Sequence, residues 1–305
     1  MKLLSLVLLL SAFFSLSLTE VVNSFIPSCP SFFLRNPKKL NDYIIPTVFT
    51  GHQYKKICQR WNNNYRFATV YDTERRIPVY SAYTFSQKTK TNRSDKWKIE
   101  PQLEDFKEYE DKREMIVSPR DVETVNKIKK QAVDLDYKDT GYTRGHVFPN
   151  QYGANQDQAE STFTLTNIAP QTQNSNGQWA AQVETPMLKN ITSLCRLDQN
   201  HLAYIVTGAV PGEKWIPIKR NKKEIKNGIN IPSHYWSAFC CTDINKITNL
   251  VFGAYLAKLN NFDLQTLDIS KLNERLTELY GKDFTVFPGL EVENTEHNSQ
   301  PKIVK

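Results

Sequence analysis

Tyr142-Thr143-Arg144-Gly145-His146, then Thr162-Phe163-Thr164-Leu165-Thr166-Asn167, then Asn176-Gly177-Gln178-Trp179 and finally Glu184 are the residues on which the reading of this chain turns. If 142–147 is extended, Arg144 and His146 are two apart and share a face. Gly145 between them leaves room for a close backbone approach. Thr162 to Thr166 alternates polar with apolar residues and is rich in β-formers, which predicts a second strand, ended by Pro170. Good helix formers around Trp179, Ala180, Ala181 and Val183 predict a helix over 176–189. Asn176 and Glu184, eight apart, then lie on neighbouring faces of it.

The polar residues of this stretch suit hydrolysis of a phosphodiester with a hard metal ion. Histidine is the side chain whose ordinary pKa makes it a proton acceptor near neutrality. The planar fork of Arg144 matches a pair of phosphate oxygens. An amide or carboxylate oxygen suits Mg²⁺, which keeps several of its waters. Each residue has a plainer reading. His146 alone would be an ordinary core or surface histidine, Asn176 a helix cap with Asn174 its competitor for a metal, and Asn167 the close of a strand-to-proline turn. Glu184 could be a surface charge. Trp179 and Phe163 are read as core.

Arg144-Gly145-His146, Leu165-Thr166-Asn167-Ile168-Ala169-Pro170-Gln171, Asn176 and Glu184 resemble the signature of the DNA/RNA non-specific endonuclease family, with matching intervals from His146. Arg66 to Asp72, Arg76 to Tyr83 and Pro232 to Ala238 are similar to a narrower branch of it. The resemblance covers roughly residues 20–288. It implies an α+β fold of the ββα-metal (His-Me finger) type, a mostly antiparallel central sheet flanked by helices. It also implies His146 as general base, Arg144 on the phosphate, Asn167 and Glu184 supporting catalysis, and Asn176 as ligand to Mg²⁺, with Mn²⁺ the alternative. A second phosphate-binding Arg is implied near Arg93, for which a plain surface arginine is the competing reading. The expected substrates are DNA and RNA, single- or double-stranded, cut to 5′-phosphate ends through backbone rather than base contacts. The chain departs from the pattern twice. Thr143 stands where the family has Asp, and the Asn176–Trp179 interval is one residue short, regained before Glu184. Thr143 is the main support for a rival reading, a catalytically impaired secreted nucleic-acid-binding protein; a structural ectodomain docking acidic glycans through its basic stretch is another.

The compartment is read from the ends and the cysteines. The chain has 305 residues, of which 40% are hydrophobic and 23% charged, and it shows no repeat or linker that would divide it. Met1-Lys2 followed by the apolar Leu3 to Leu18 reads as a secretory signal peptide over 1–19. The nuclease-like domain is expected over 20–288 and a disordered polar tail over 289–305. No later apolar run approaches membrane length, so no stable membrane association is expected. In an oxidising compartment Cys29 pairs naturally with Cys58, and Cys195 with Cys240 or Cys241. Asn92-Arg93-Ser94 and Asn190-Ile191-Thr192 are glycosylation sequons. The net charge of +7 suits a polyanion partner. Much of it lies in Lys214, Lys219, Arg220, Lys222, Lys223 and Lys226, readable as a nucleic-acid contact or as a solvated loop.

Along the rest of the chain, Tyr65–Tyr71 and Ile77–Phe85 predict a hairpin, with Pro78 marking an edge or a bulge. Arg93 to Pro101 reads as a polar loop. A helix is predicted over 121–133, capped by Ser118 or Asp121. Strands are predicted at Leu202–Val206, stopping before Gly208, at Tyr235–Cys240 and at Leu250–Leu256. Ile269, Leu272, Leu276 and Leu279 mark a last helix closed by Gly281.

Overall fold

The computed structural model describes residues 20–290 apart from Leu40 and Lys88; the predicted leader and the tail beyond Leu290 lie outside the described residues. An eight-stranded antiparallel sheet carries the fold, and its strands lie side by side in chain order. They are β1 (Val21–Val22), β2 (Tyr54–Trp61), β3 (Asn64–Asp72), β4 (Ile77–Phe85), β5 (Ala203–Val210), β6 (His234–Thr242), β7 (Leu250–Lys258) and β8 (Asp263–Leu267). Both faces of the sheet are covered, which is why its inner strands read as continuous apolar runs. Side-chain alternation sorts neighbours to opposite sides. Phe67, Tyr83, Ile205 and Tyr235 pack with Trp179, Val183 and Met187, while Ala68, Ala82, Val206 and Trp236 pack with Leu272, Leu276 and Phe284.

The hairpin β3–β4 forms as expected, and its register breaks between Val70 and Tyr71, opposite Pro78. The last helix runs Ile269–Tyr280, capped by Asp268 and ended by Gly281 at φ 63°. The same alternation settles the cysteines. Cys241 faces the side that holds Cys195 and bonds it, Cys29 bonds Cys58, and Cys240 faces the other side as a buried thiol.

Several expectations need correction. β5 runs through Gly208 rather than stopping before it. A Cβ there would come within 2.4 Å of the Val79 carbonyl and 2.5 Å of the Trp236 ring, so the glycine permits the strand to continue. The helix after Asp121 ends at Lys127. Beyond it Ile128 and Val133 still point into the core, but the backbone of Lys129 and Lys130 is spent on the Glu104 carboxylate. The basic stretch is a hairpin, Lys214–Arg220 paired with Lys223–Ile231, with Asn221 and Lys222 both at positive φ in its turn. Arg220 is its exception, buried in a two-pronged ion pair with Asp136 at 2.7 Å.

The predicted second strand at Thr162–Thr166 is also wrong. Thr162 ends the helix Gln156–Ser161, and Leu165–Asn167 forms a 3₁₀ turn. The strand is Ile168–Gln171, and Pro170 lies inside it, opposite Arg144. The threonines alternate in sequence, but their hydroxyls are drawn off the pattern. Thr164 donates to buried Glu100 at 2.7 Å, and Gln59 donates to Thr166 at 2.8 Å. Proline is tolerated because this ribbon has two strands, so one edge needs no ladder donor.

Candidate active site

The ribbon pairs Thr143–His146 with Ile168–Gln171 and stands on the sheet through Tyr235, whose hydroxyl donates to the carbonyls of Gly145 and Ala169, each at 3.2 Å. Gly145 is needed for this tight pairing. A Cβ there would fall 2.1 Å from the Gln171 side-chain oxygen and 2.9 Å from the Ala169 carbonyl.

Asn167 fixes the turn that feeds the ribbon, and its amide is fully used. Its Oδ1 accepts from Ser81 Oγ and from the Phe148 N–H, each at 2.9 Å. Its Nδ2 donates to the Thr162 and Phe148 carbonyls at 3.0 and 3.1 Å. One buried side chain thus ties the sheet, the segment after His146 and the segment before the second ribbon strand.

Arg144 and His146 share a face of the ribbon and meet at Trp97. The Trp97 ring lies 5.5 Å from the imidazole, and the Arg144 guanidinium lies 5.3 Å above the same ring. Phe163 presents an edge to His146 at 4.8 Å, and Arg93 stacks on Phe163 at 5.3 Å. Arg93, Arg144 and His146 are therefore brought together around two aromatic rings. The Nε2 of His146 is enclosed and has no hydrogen-bond partner. Burial, and after it the charge of Arg93, pushes the His146 pKa down to about 3, so the ring is neutral at physiological pH.

Two partners were not legible. Trp97 lies in a stretch whose sequence reads as a polar loop, and nothing periodic in that loop marks it as a bridge between Arg144 and His146. Asp134 takes the Arg144 guanidinium, with Nη2 2.6 Å from its Oδ1 and 2.8 Å from its backbone carbonyl. Arg144 thus has its carboxylate partner ten residues upstream. Thr143 itself donates to the Gln171 carbonyl at 3.0 Å and belongs to the ribbon's ladder.

The helix that follows starts earlier than expected, at Gln173, with Thr172 as its cap accepting from the Ser175 N–H. This removes the capping role considered for Asn176. Asn176 lies in the first turn, half-buried, with no side-chain hydrogen bond among the described residues, while Asn174 is exposed. The helix passes through a π turn at Ala180–Glu184 before continuing as Thr185–Leu194. A π turn takes one extra residue into a helix. It falls in the interval where the sequence regains the residue missing before Trp179. Because each residue of a π turn rotates less, it also draws Glu184 back toward the face of Asn176, closing an offset of about 80° in an uninterrupted α-helix. Glu184 is 9% exposed and accepts from Gln151 at 2.9 Å, while Tyr152 holds its backbone carbonyl. Both residues follow closely on His146, so the helix is tied to the ribbon's end. Burial pushes Glu184 up to about 7, against the lowering effect of Gln151.

Among the described residues no three His, Cys, Asp or Glu side chains cluster as a metal cage. The donor set is instead one amide oxygen without a protein partner and one desolvated carboxylate on the same helix. That fits a hard divalent ion keeping most of its waters, and does not fit a structural zinc. If Asn176 holds the ion, Asn176→Ala is expected to raise the Mg²⁺ concentration for half-maximal activity several-fold, and exposed Asn174→Ala to leave it unchanged. Titrating Mg²⁺ against cleavage rate checks this, and a larger effect at Asn174 would reassign the ligand.

Arg144 and His146 thus stand on a two-stranded ribbon, backed by a helix that carries Asn176 and Glu184. The chain belongs to the DNA/RNA non-specific endonuclease family, whose sequence pattern matches residues 47–291. It is 33% identical to the human Endonuclease domain-containing 1 protein and 30% identical to the mouse protein of that name, over 197 residues in each case. Those matches cover 64% of this chain and 36% of the relative's length. The EndoG/EndoGI complex contains a chain similar over 85% of this one and 91% of its own length, at 16% identity and a TM-score of 0.45.

Proposed function

We propose that this chain is a secreted, divalent-metal-dependent endonuclease that hydrolyses phosphodiester bonds in DNA and RNA, single- or double-stranded. The observation that carries the reading is the meeting of Arg93, Arg144 and a neutral His146 around Trp97 and Phe163. His146 accepts a proton from the water that attacks phosphorus, through Nδ1, the ring nitrogen that is not enclosed. Burial is the larger cause of its low pKa and the Arg93 charge the smaller, and a bound phosphodiester offsets the second of these. Arg93 and the unpaired edge of Arg144 hold the non-bridging oxygens. Asn176 and Glu184 would hold Mg²⁺ or Mn²⁺, which when bound offsets charge on the phosphate and the leaving oxygen. Asn167 positions the ribbon and touches no substrate. The apolar leader and two disulfides support secretion, and no helix among the described residues is long and apolar enough to cross a membrane. Of the two sequons, Asn92 is exposed, whereas the Asn190 amide donates to Tyr255 at 2.9 Å and would have to leave it to carry a glycan.

Nicking of supercoiled plasmid by the purified protein in Mg²⁺ but not in EDTA tests this reading. Binding without cleavage would favour the impaired nucleic-acid-binding protein, for which Thr143 and the occupied Arg144 are the specific support. Thr143→Asp decides between them. Arg144 already has a carboxylate in Asp134, so the substitution is expected to change the initial cleavage rate less than tenfold, about 1.4 kcal/mol in barrier. An inert wild type rescued by Asp would make the binding protein the better reading.

A further inference from the structure

Three residues hold the Arg144 guanidinium, and two of them belong to one short element. Trp97 supplies one ring, 5.3 Å away. The 3₁₀ turn Asp134–Tyr137 supplies the other contacts. The Tyr137 ring also lies 5.3 Å from the guanidinium, and Asp134 takes Nη2 on both its carboxylate and its main-chain carbonyl. Where this turn stands therefore decides where Arg144 stands.

A turn of four residues does not fix itself. Its main chain contributes the Asp136 N–H to the Val133 carbonyl at 3.0 Å and the Lys138 N–H to the Leu135 carbonyl at 3.2 Å. Such 3₁₀ bonds have poor geometry, so side chains must tie the turn down. Ser118 Oγ accepts from the Asp134 N–H at 2.9 Å. Asp136 does more. Its Oδ2 accepts from the Val133 N–H at 2.9 Å, which closes the start of the turn on itself. Both its oxygens accept from the fork of Arg220, each at 2.7 Å. Arg220 is fixed in its turn by the Ile128 and Lys219 carbonyls, at 2.8 and 2.9 Å. Arg76, a second cation near this pair, donates instead to the Lys129 and Gly228 carbonyls at 2.7 and 2.8 Å. Asp136 and Arg220 are each 5% exposed in their side chains. Desolvation offsets most of the attraction in such a buried pair, so apolar side chains of the same volume would hold the fold as well. A fork on a carboxylate supplies orientation, which apolar packing does not.

We propose that Arg220 and Asp136 are positioning residues for Arg144: their ion pair sets the turn Asp134–Tyr137, and the turn sets the guanidinium against the phosphate. This rests on Arg144 as the arginine that holds phosphate in the proposed reaction. Neither residue of the pair touches substrate; both are buried behind the turn and act through Asp134 and Tyr137. Arg220 is also the one cation of the basic hairpin that is buried, so the hairpin is anchored to the active site through it. A misplacement of about 1 Å in a catalytic group costs on the order of 100-fold in rate, even when its cause lies far from the chemistry.

Fluorescence anisotropy of a labelled single-stranded oligonucleotide, titrated with the full chain in EDTA, reads the grip of Arg144 without cleavage. Arg144→Ala is expected to weaken binding about tenfold, the loss of a charge-assisted contact to phosphate. Asp136→Asn and Arg220→Lys are each expected to weaken it about threefold or more, and to weaken it no further in the Arg144→Ala background. General damage to the fold would instead lower binding by the same factor in both backgrounds. Arg220→Lys keeps both charges and loses only the fork, so it decides the matter if Asp136→Asn does not fold. In Mg²⁺ both variants should lower kcat/KM for plasmid nicking about tenfold and leave the Mg²⁺ concentration for half-maximal activity unchanged. Among the described residues neither member of the pair hydrogen-bonds the helix of Asn176 and Glu184. Binding weakened in Arg144→Ala but unchanged in both ion-pair variants overturns the proposal and leaves Arg144 on the phosphate. Equal losses with and without Arg144 overturn it too, since the pair would then serve the fold alone. No binding by the wild type, or binding unchanged in Arg144→Ala, overturns the reading of Arg144 and the proposal with it. The expected binding pattern in a protein that nicks no plasmid upholds the proposal and ends the endonuclease reading.

Discussion

His146→Ala is expected to lower the rate of plasmid nicking in Mg²⁺ by at least about 100-fold, the contribution of a well-placed general base. The effect should fall on turnover and not on folding. The imidazole contributes ring contacts to Trp97 and Phe163 but no hydrogen bond through its enclosed Nε2. Asn167, which holds this part of the chain together, keeps all four of its hydrogen bonds in the variant. DNA retention should also survive, because Arg93 reaches the site by stacking on Phe163 rather than on the histidine. A variant that keeps more than a tenth of the wild-type rate would sink the assignment of the base. A variant that no longer retains DNA would instead mean that the imidazole helps to position Arg93.

The parts of this site that could be read from the sequence are those set by short intervals. Arg144 and His146 fall on one face because a strand has a period of two, and nothing distant can alter that. The last helix was legible because its apolar spacing, its cap and its closing glycine agree. The threonines of 162–166 show how local pattern misleads. Their alternation is that of a strand, but Glu100 and Gln59, far off in sequence, take the hydroxyls and bend the backbone into a 3₁₀ turn. Pro170 misled for the opposite reason. In sequence it reads as a terminator, whereas a two-stranded ribbon has a free edge that can hold it. Trp97 and Asp134 were invisible because each acts across a long interval, on Arg144 and not on its own neighbours. The one-residue irregularity between Asn176 and Glu184 was visible, but only the π turn gives it a meaning.

The second large effect concerns Glu184, and stability and activity should move in opposite directions. Burial raises its pKa from 4.5 to about 7, so the folded protein binds this proton more tightly than the unfolded chain does. Between those values the folded state carries the extra proton, and stability therefore falls as pH rises, most of the loss being complete a little above pH 7. Below about pH 4.5 both states are protonated. The stability contributed by the neutral acid is fully present there and gone at pH 8. At ~1.4 kcal/mol per pH unit the ionised carboxylate costs the metal-free protein about 3 kcal/mol. Glu184→Gln keeps an oxygen to accept from Gln151 and carries no charge. In EDTA at pH 8 it should be the more stable protein by about that amount in urea unfolding, with the gap closing toward pH 5. Equal stabilities at pH 8, or a gap that widens in acid, would mean that Glu184 is not held as a desolvated acid. Added Mg²⁺ should narrow the gap by stabilising the wild type alone, since a cation beside Asn176 offsets the buried charge. The same substitution should lower the cleavage rate. A carboxylate that destabilises the metal-free protein, on the same helix as an amide oxygen with no protein partner, is what the proposed cation site would require, and its hydrogen bond to Gln151 could be kept by an uncharged amide.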